Sequence, residues 1–304
     1  MKKTCIIIAG PTAVGKTPVA LQLARYFNTQ IISADSRQCF KELGIAVAKP
    51  SPADLSGIHH YFINSHSIHE NISAADFEKY ALASAEEIFR EKDIAIMVGG
   101  TGLYIKAFVE GLDPIPAVDP LLRNEIIGAY ELNGINWLQE QLQIHDPVYA
   151  ASGEMENPQR MMRALEVKRS TGNSILNFQS QQKITRDFNI IQIGLELPRE
   201  MLYTQINKRV DEMMKMGLEA EARLLFPLRG LNALQTVGYR ELFSYFDGDI
   251  SLTKAIELIK QNTRHYAKRQ MTWFKKDGCI NWLPPDIKLV SEYLRMRFED
   301  LKIS

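Results

Sequence analysis

One eight-residue stretch limits the folds open to this chain more than any other. Gly10-Pro11-Thr12-Ala13-Val14-Gly15-Lys16-Thr17 fits G-x-x-x-x-G-K-[ST]. It lies between a short β-branched run, Thr4 to Ala9, and a segment with apolar residues at helical spacing, Val19 to Phe27. A strand feeding such a loop, and a helix leaving it, is the setting in which the pattern builds a phosphate cradle (a P-loop) rather than an ordinary turn. The glycines let the backbone curl until its N–H groups point inward. The helix N-terminus adds partial positive charge. Lys16 supplies a mobile cation, and the Thr17 hydroxyl can ligate Mg²⁺. Pro18 falls in the first helical turn, where its missing N–H costs little.

The alternation continues. Gln30 to Ala34 reads as a second strand, Phe77 to Phe89 as a helix, and Ile94 to Val98 as a buried strand before Gly99-Gly100. Strands alternating with helices imply a parallel sheet covered on both faces. Pro114, Pro116 and Pro120 then mark a change of organisation, and Leu121 to Thr171 is helical in pattern. Gln179 to Gln182 is a polar loop, Asn189 to Leu195 returns to strand character, and Cys279 to Leu283 could add a last strand in a helical tail. The expected architecture is α/β. A P-loop NTPase-like parallel-sheet core (1–115 and 186–304) is interrupted by a helical insertion domain (116–185).

Lys and Arg total 36 and Asp and Glu total 36, so any attraction to nucleic acid must come from local patches. Met1-Lys2-Lys3 precedes an apolar run too short for a signal peptide, broken at Gly10-Pro11. No stretch is long and apolar enough to span a membrane. Cys5, Cys39 and Cys279 are scattered, without C-x-x-C spacing, as incidental thiols in a reducing cytoplasm would be.

A P-loop binds any di- or triphosphate and does not name the reaction. An NTPase usually carries an Asp at the end of a later strand, yet Ile94 to Val98 runs into Gly99-Gly100-Thr101. That weakens a kinase or ATPase reading and favours a diphosphate held as a leaving group. Asp35, after the second strand, should face the phosphate crevice, since ligands of open parallel sheets sit at the strands' carboxyl ends. It could be a metal-shell ligand, a general base, or merely an Asx-turn or cap. Arg160 and Arg163 share a helix face, either as a binding surface or as a solvated face paired with Glu166. From Lys254 to Lys276 there are seven Lys/Arg against Glu257 alone, seven minus one or +6, with Tyr266, Trp273 and Phe274 interleaved. That suits phosphate contact with base stacking, or else a packing helix.

The string 10–17, then Ile31 to Gln38, then Val98-Gly99-Gly100-Thr101-Gly102-Leu103-Tyr104, resembles the tRNA dimethylallyltransferases. The likeness continues through Gln159 to Val167, Thr171-Gly172, Arg209 to Met213, Gly238-Tyr239-Arg240-Glu241 and Tyr266 to Trp273, in the same order. The resemblance implies transfer of a dimethylallyl group from dimethylallyl diphosphate to N6 of the adenosine 3′ to the anticodon (position 37), in tRNAs reading codons that start with U. It implies Asp35 as general base, Thr101 beside the reacting amine, and Lys16, Mg²⁺ on Thr17, and Arg209 at the leaving diphosphate. It places Asp35, Ser36, Arg37, Gln38, Thr101, Arg123, Gln159, Arg160, Met161, Met162 and Arg163 against the tRNA anticodon stem-loop. Gly238, Tyr239, Arg240, Lys268, Arg269, Gln270 and Trp273 join them. A cytoplasmic monomer is expected. The family pattern is departed from at four places: Phe40 for Tyr, Ala46-Val47 for a Gly-Thr pair, Asn157 for Asp and Gln205 for Arg. They bear on substrate contacts rather than on the proposed catalytic groups. The alternatives are an adenylate prenyltransferase acting on a free nucleotide, a small-molecule kinase with the same P-loop, and a non-catalytic RNA-binding protein.

Overall fold

The computed structural model describes residues 2–179 and 182–303, so Ser180 and Gln181 of the expected polar loop lie outside the described residues. The chain forms two compact units, Met1–Glu110 with Thr185–Ser304, and Gly111–Ile184.

The first unit is built on a parallel sheet of strands β1 (Thr4–Ala9), β2 (Ile31–Ala34), β3 (His60–Tyr61), β4 (Ile94–Gly99), β5 (Asn189–Leu195) and β6 (Asn281–Leu283), in the order β3-β2-β4-β1-β5-β6. β1 is central because all six of its residues are apolar or small enough to be buried. Alternate side chains feed two cores: Cys5, Ile7 and Ala9 on one face, Ile6 and Ile8 on the other. Helix α1 (Lys16–Tyr26) covers the second face through Val19, Ala20, Leu23 and Ala24, and α12 (Ile287–Ile303) joins it through Val290 and Leu294. The first face is covered by α3 (Ala74–Glu91), α4 (Gly102–Glu110), α10 (Tyr239–Phe246) and α11 (Leu252–Phe274). α3 starts at a reciprocal capping box between Ser73 and Asp76. α8 (Arg199–Lys215) reaches both cores, Leu202 and Ile206 on one side and Val210 and Met213 on the other. Two short helices complete this unit, α2 (Pro52–Gly57) and α9 (Leu218–Leu225).

In the second unit, the stretch read as continuously helical is three helices: α5 (Pro120–His145), α6 (Pro147–Ser152) and α7 (Pro158–Thr171). Each starts on Pro with a capping side chain before it, Asp119, Asp146 or Asn157. α5 kinks at Gly134, whose φ of 76° is outside the helical region. Ile126, Leu138, Leu142, Tyr149, Met161, Leu165 and Val167 make a separate core.

Candidate active site

The phosphate loop bends through three left-handed residues, Gly10 (φ 141°), Ala13 (φ 64°) and Gly15 (φ 101°). Gly10 also admits a close approach: a Cβ there would stand 2.6 Å from the carbonyl oxygen of Leu195, at the end of β5. Pro11 and Val14 are buried beneath the loop, while Thr12, Ala13, Gly15, Lys16 and Thr17 line a cavity of about 370 Å³. Lys16 folds back so that Nζ donates to the carbonyls of Gly10 (3.0 Å) and Pro11 (2.8 Å). Burial, and then the nearby Arg209 guanidinium, bring its pKa down to about 7 against the opposing pull of Asp35. Arg209, on α8, donates to Thr12 Oγ1 at 3.3 Å, and burial lowers its pKa too. Two cations at the mouth of the loop, one close to neutrality, make a site that gains when an anion arrives.

Asp35, at the end of β2, does form the turn allowed for it: Oδ1 accepts from the backbone N–H groups of Arg37 (2.9 Å) and Gln38 (3.3 Å). Oδ2 has no hydrogen-bond partner among the described residues, and Asp35 lines the same cavity as Lys16. The cap and the acid are therefore compatible, one oxygen for each. Thr101 is tied to the same corner. Its N–H donates to the Ala34 carbonyl (3.2 Å), and its Oγ1 accepts from the Ser36 N–H (3.0 Å), which leaves the hydroxyl proton free to be donated.

Where a strand-end carboxylate would stand in an NTPase, β4 meets an amide. Gln270, buried on α11, donates through Nε2 to the Gly100 carbonyl (2.9 Å) and accepts through Oε1 from the Thr12 N–H (2.8 Å). A Cβ at Gly100 would run into Gln270 Nε2, and one at Gly102 into the Trp273 ring. The glycines after β4 are there for α11 to approach.

Several residues expected to face tRNA are otherwise employed. Gln270 holds the phosphate loop to β4, as above. Tyr239 is fully buried, and its hydroxyl donates to Glu221 Oε1 at 2.7 Å. Met161 and Met162 belong to the core of the helical unit. Gln38 accepts from the Ser33 hydroxyl (3.1 Å) and donates to the carbonyls of Val47 and Ala48 (3.2 and 3.1 Å). By contrast, Ser36, Arg37, Gly238, Arg240 and Arg269 line the cavity with Asp35. In the helical unit Gln159 and Arg160 are exposed. Arg123 and Arg163 converge on the buried Glu166, at 3.7 and 3.2 Å. The departures from the family pattern also find places. Asn157 caps α7 by accepting from the N–H groups of Gln159 and Arg160, as an Asp would. Val47 is engaged through its carbonyl, Phe40 is buried, and Gln205 is exposed.

Three of the seven cations counted over 254–276 are paired with carboxylates among the described residues. Lys254 pairs with Glu257 (3.6 Å), Lys260 with Asp211 (2.6 Å) and Lys275 with Glu196 (2.7 Å), and Arg264 donates to Asn207 (2.6 Å). Lys268, Arg269 and Lys276 have no carboxylate partner among the described residues. With His265, Thr272 and Trp273 they line a shallow cleft of about 480 Å³ along one face of α11 and the turn after it. The apolar lining of the main cavity includes, beside Ala46, Val47 and Met213, Leu218 and Ile259, which were not singled out from sequence. These last two carry no signal beyond that of core.

The IPP transferase family model matches residues 38–277, well over half of the chain. The chain belongs to the IPP transferase family. Among its relatives, the tRNA dimethylallyltransferase of Christiangramia forsetii is 50% identical over 286 residues, covering 94% of this chain and 95% of that protein. That of Cytophaga hutchinsonii is 43% identical over 301 residues, covering 99% of each. Two solved structures share the fold. The full-length tRNA isopentenylpyrophosphate transferase of Bacillus halodurans aligns with a TM-score of 0.72 at 34% identity, covering 98% of both chains. A eukaryotic dimethylallyltransferase acting on tRNA aligns at 0.78 and 28% identity, covering 93% of this chain and 74% of that one. Family membership thus accords with a parallel sheet carrying a P-loop. Among the described residues, no helix of this family member is long and apolar enough to cross a membrane.

Proposed function

We infer that the chain transfers a dimethylallyl group from dimethylallyl diphosphate to N6 of the adenosine 3′ to the anticodon, position 37, in tRNAs reading codons that start with U, and releases diphosphate. It does so as a monomer in the cytoplasm. The observation that carries this reading is a single cavity in which a phosphate loop with two cations, Lys16 and Arg209, shares space with the Asp35 carboxylate and an apolar lining. An allylic diphosphate needs all three: cations for the leaving group, apolar walls for the chain, and a base for the acceptor.

The exocyclic amine of adenine is a weak nucleophile, because its lone pair is delocalised into the ring. As nitrogen bonds to the allylic carbon and the carbon–oxygen bond to diphosphate breaks, the amine proton must leave; Asp35 Oδ2 takes it. Thr101 donates its free hydroxyl proton toward the departing oxygen. Lys16 and Arg209 hold the charge that grows on the diphosphate. Among the described residues no group of three or more His, Cys, Asp or Glu forms a cage for a metal. The donor set offered is the Thr17 hydroxyl beside a diphosphate, which suits Mg²⁺, an ion that keeps waters and binds through substrate phosphates. When bound, Mg²⁺ would supply further neutralisation of the leaving group. Ser36, Arg37, Arg240, Arg269 and Arg160, with the α11 cleft, are the surfaces we assign to the tRNA.

The test is to incubate the protein with dimethylallyl diphosphate, Mg²⁺ and unmodified tRNA and weigh the tRNA, with parallel arms offering AMP as acceptor and ATP as donor. A mass gain of one dimethylallyl group on tRNA alone is expected. Prenylation of AMP but not tRNA, or tRNA-stimulated ATP hydrolysis, would overturn the reading.

A further inference from the structure

Gly44 to Lys49 is neither helix nor strand, yet it forms part of the cavity wall through Ala46, Val47 and Ala48. Four side-chain-to-backbone hydrogen bonds hold it. Glu221, on α9, accepts from the N–H of Ile45 through Oε2 (2.7 Å) and of Ala46 through Oε1 (3.1 Å), while Gln38 donates to the carbonyls of Val47 (3.2 Å) and Ala48 (3.1 Å). Glu221 Oε1 also accepts the hydroxyl proton of the buried Tyr239, on α10. The fit at the carboxylate is close: a Cβ on Gly44 would stand 2.8 Å from Oε2. One carboxylate thus ties a cavity wall without secondary structure to two packed helices. Its three donors are an arrangement that a solvated glutamate would not need.

The cavity's other apolar lining includes Met213, Leu218 and Ile259. A roomy apolar pocket would favour a longer isoprenoid, since every added methylene gains from burial. Preference for the shorter chain has to come from a wall that does not yield. We propose that Glu221 is a positioning residue that gauges isoprenoid length: by holding the Ile45 and Ala46 amides it fixes where the Ala46–Ala48 wall stands, so that a five-carbon chain is admitted and a ten-carbon chain is refused. This rests on the prenyl-transfer reading above.

Glu221→Gln tests it, because an amide presents one accepting oxygen and its NH₂ cannot accept from a backbone N–H. In the variant the KM for dimethylallyl diphosphate should rise about tenfold with kcat changed less than about threefold. The preference for dimethylallyl over geranyl diphosphate in kcat/KM should fall about tenfold, with inhibition by inorganic diphosphate unchanged. The amides of Ile45 and Ala46 should exchange hydrogen faster. Tyr239→Phe, which leaves both amide bonds in place, should move the same quantities in the same direction but by less. Should Glu221→Gln fail to fold, Ala46→Leu advances the wall directly. It should lower kcat/KM for the five-carbon donor at least about tenfold while leaving inorganic diphosphate inhibition alone. Wild-type KM and selectivity in Glu221→Gln, or a matching shift in inorganic diphosphate inhibition, would overturn the gauge. Failure of the wild-type protein to prenylate tRNA would instead overturn the transfer reading. The gauge is then decided by equilibrium binding, where equal wild-type affinity for the five- and ten-carbon diphosphates would reject it.

Discussion

Lys16 answers to two environments. With its ammonium turned onto two carbonyls, half-buried and beside Arg209, it titrates near pH 7. A bound diphosphate favours the charged form and raises that pKa, so binding above pH 7 must take up a proton. Affinity for the prenyl diphosphate should be level below pH 7 and fall by up to about tenfold per pH unit between about 7 and 9. Titration calorimetry in two buffers of different ionisation enthalpy reads the proton directly, and Lys16→Ala should bind weakly with no such slope. Asp35 divides its work between two oxygens, and Asp35→Asn separates them. The amide oxygen can still accept from Arg37 and Gln38, so the turn survives, but the proton acceptor is gone. Single-turnover transfer should drop by about 10² to 10⁴, with diphosphate affinity nearly unchanged. Near-normal turnover would return Asp35 to a purely capping role. Lys16, Asp35 and the loop glycines were legible in the sequence because their chemistry depends on fixed local spacing. Glu221 was not, and Gln270 was singled out only as a tRNA contact: each acts on backbone more than 150 positions away, which no local pattern encodes.

At the scale of elements, α11 carries two jobs on two faces. Ala267, Gln270 and Phe274 turn inward, and Gln270 reaches the phosphate loop. Lys268, Arg269 and Trp273 turn outward into the basic cleft. The sequence tally of +6 over this segment could not tell which cations are paired across the fold, as Lys260 is with Asp211 on α8. Lys268→Ala with Arg269→Ala should weaken tRNA binding and flatten its dependence on salt by about two counterions, because each phosphate contact releases roughly one. Arg160→Ala, on α7, should lower transfer more than binding. Filter binding across a salt series, beside single-turnover prenylation, checks both; an unchanged salt slope would make the outer face of α11 mere solvated surface. Strands β1, β2, β4 and β5 could be read directly because burial on both faces makes each a mostly apolar run, with only Thr4, Ser33, Asn189 and Gln192 polar. β3, two residues long and begun by a histidine, has no such run. The breaks within α5 to α7 were legible only as single Gly and Pro residues in a helical pattern.

The whole molecule has cores that do not share residues: two flank the sheet and one lies wholly within 111–184. Denaturant unfolding followed by residue-specific hydrogen exchange should therefore depart from a single two-state transition. Saturating prenyl diphosphate should stabilise residues of the sheet unit by about 2 to 4 kcal/mol, as mass action at 100 to 1,000 times Kd requires, and leave the buried amides of α7 unmoved. A uniform shift would show the two units to be one cooperative body.

The strand order has a consequence for how the chain is made. β1 precedes every other strand in the chain, yet it pairs on one side with β4 and on the other with β5, Thr4 opposite Asn189. The second edge of that strand stays open until Asn189–Leu195 has been synthesised. The helical unit, complete by residue 184, draws its core from its own residues and can close during that wait. The insertion can thus close before the sheet it interrupts, whereas the phosphate loop, which needs Leu195 beneath Gly10 and Gln270 beside Thr12, waits for segments as far as 258 positions downstream.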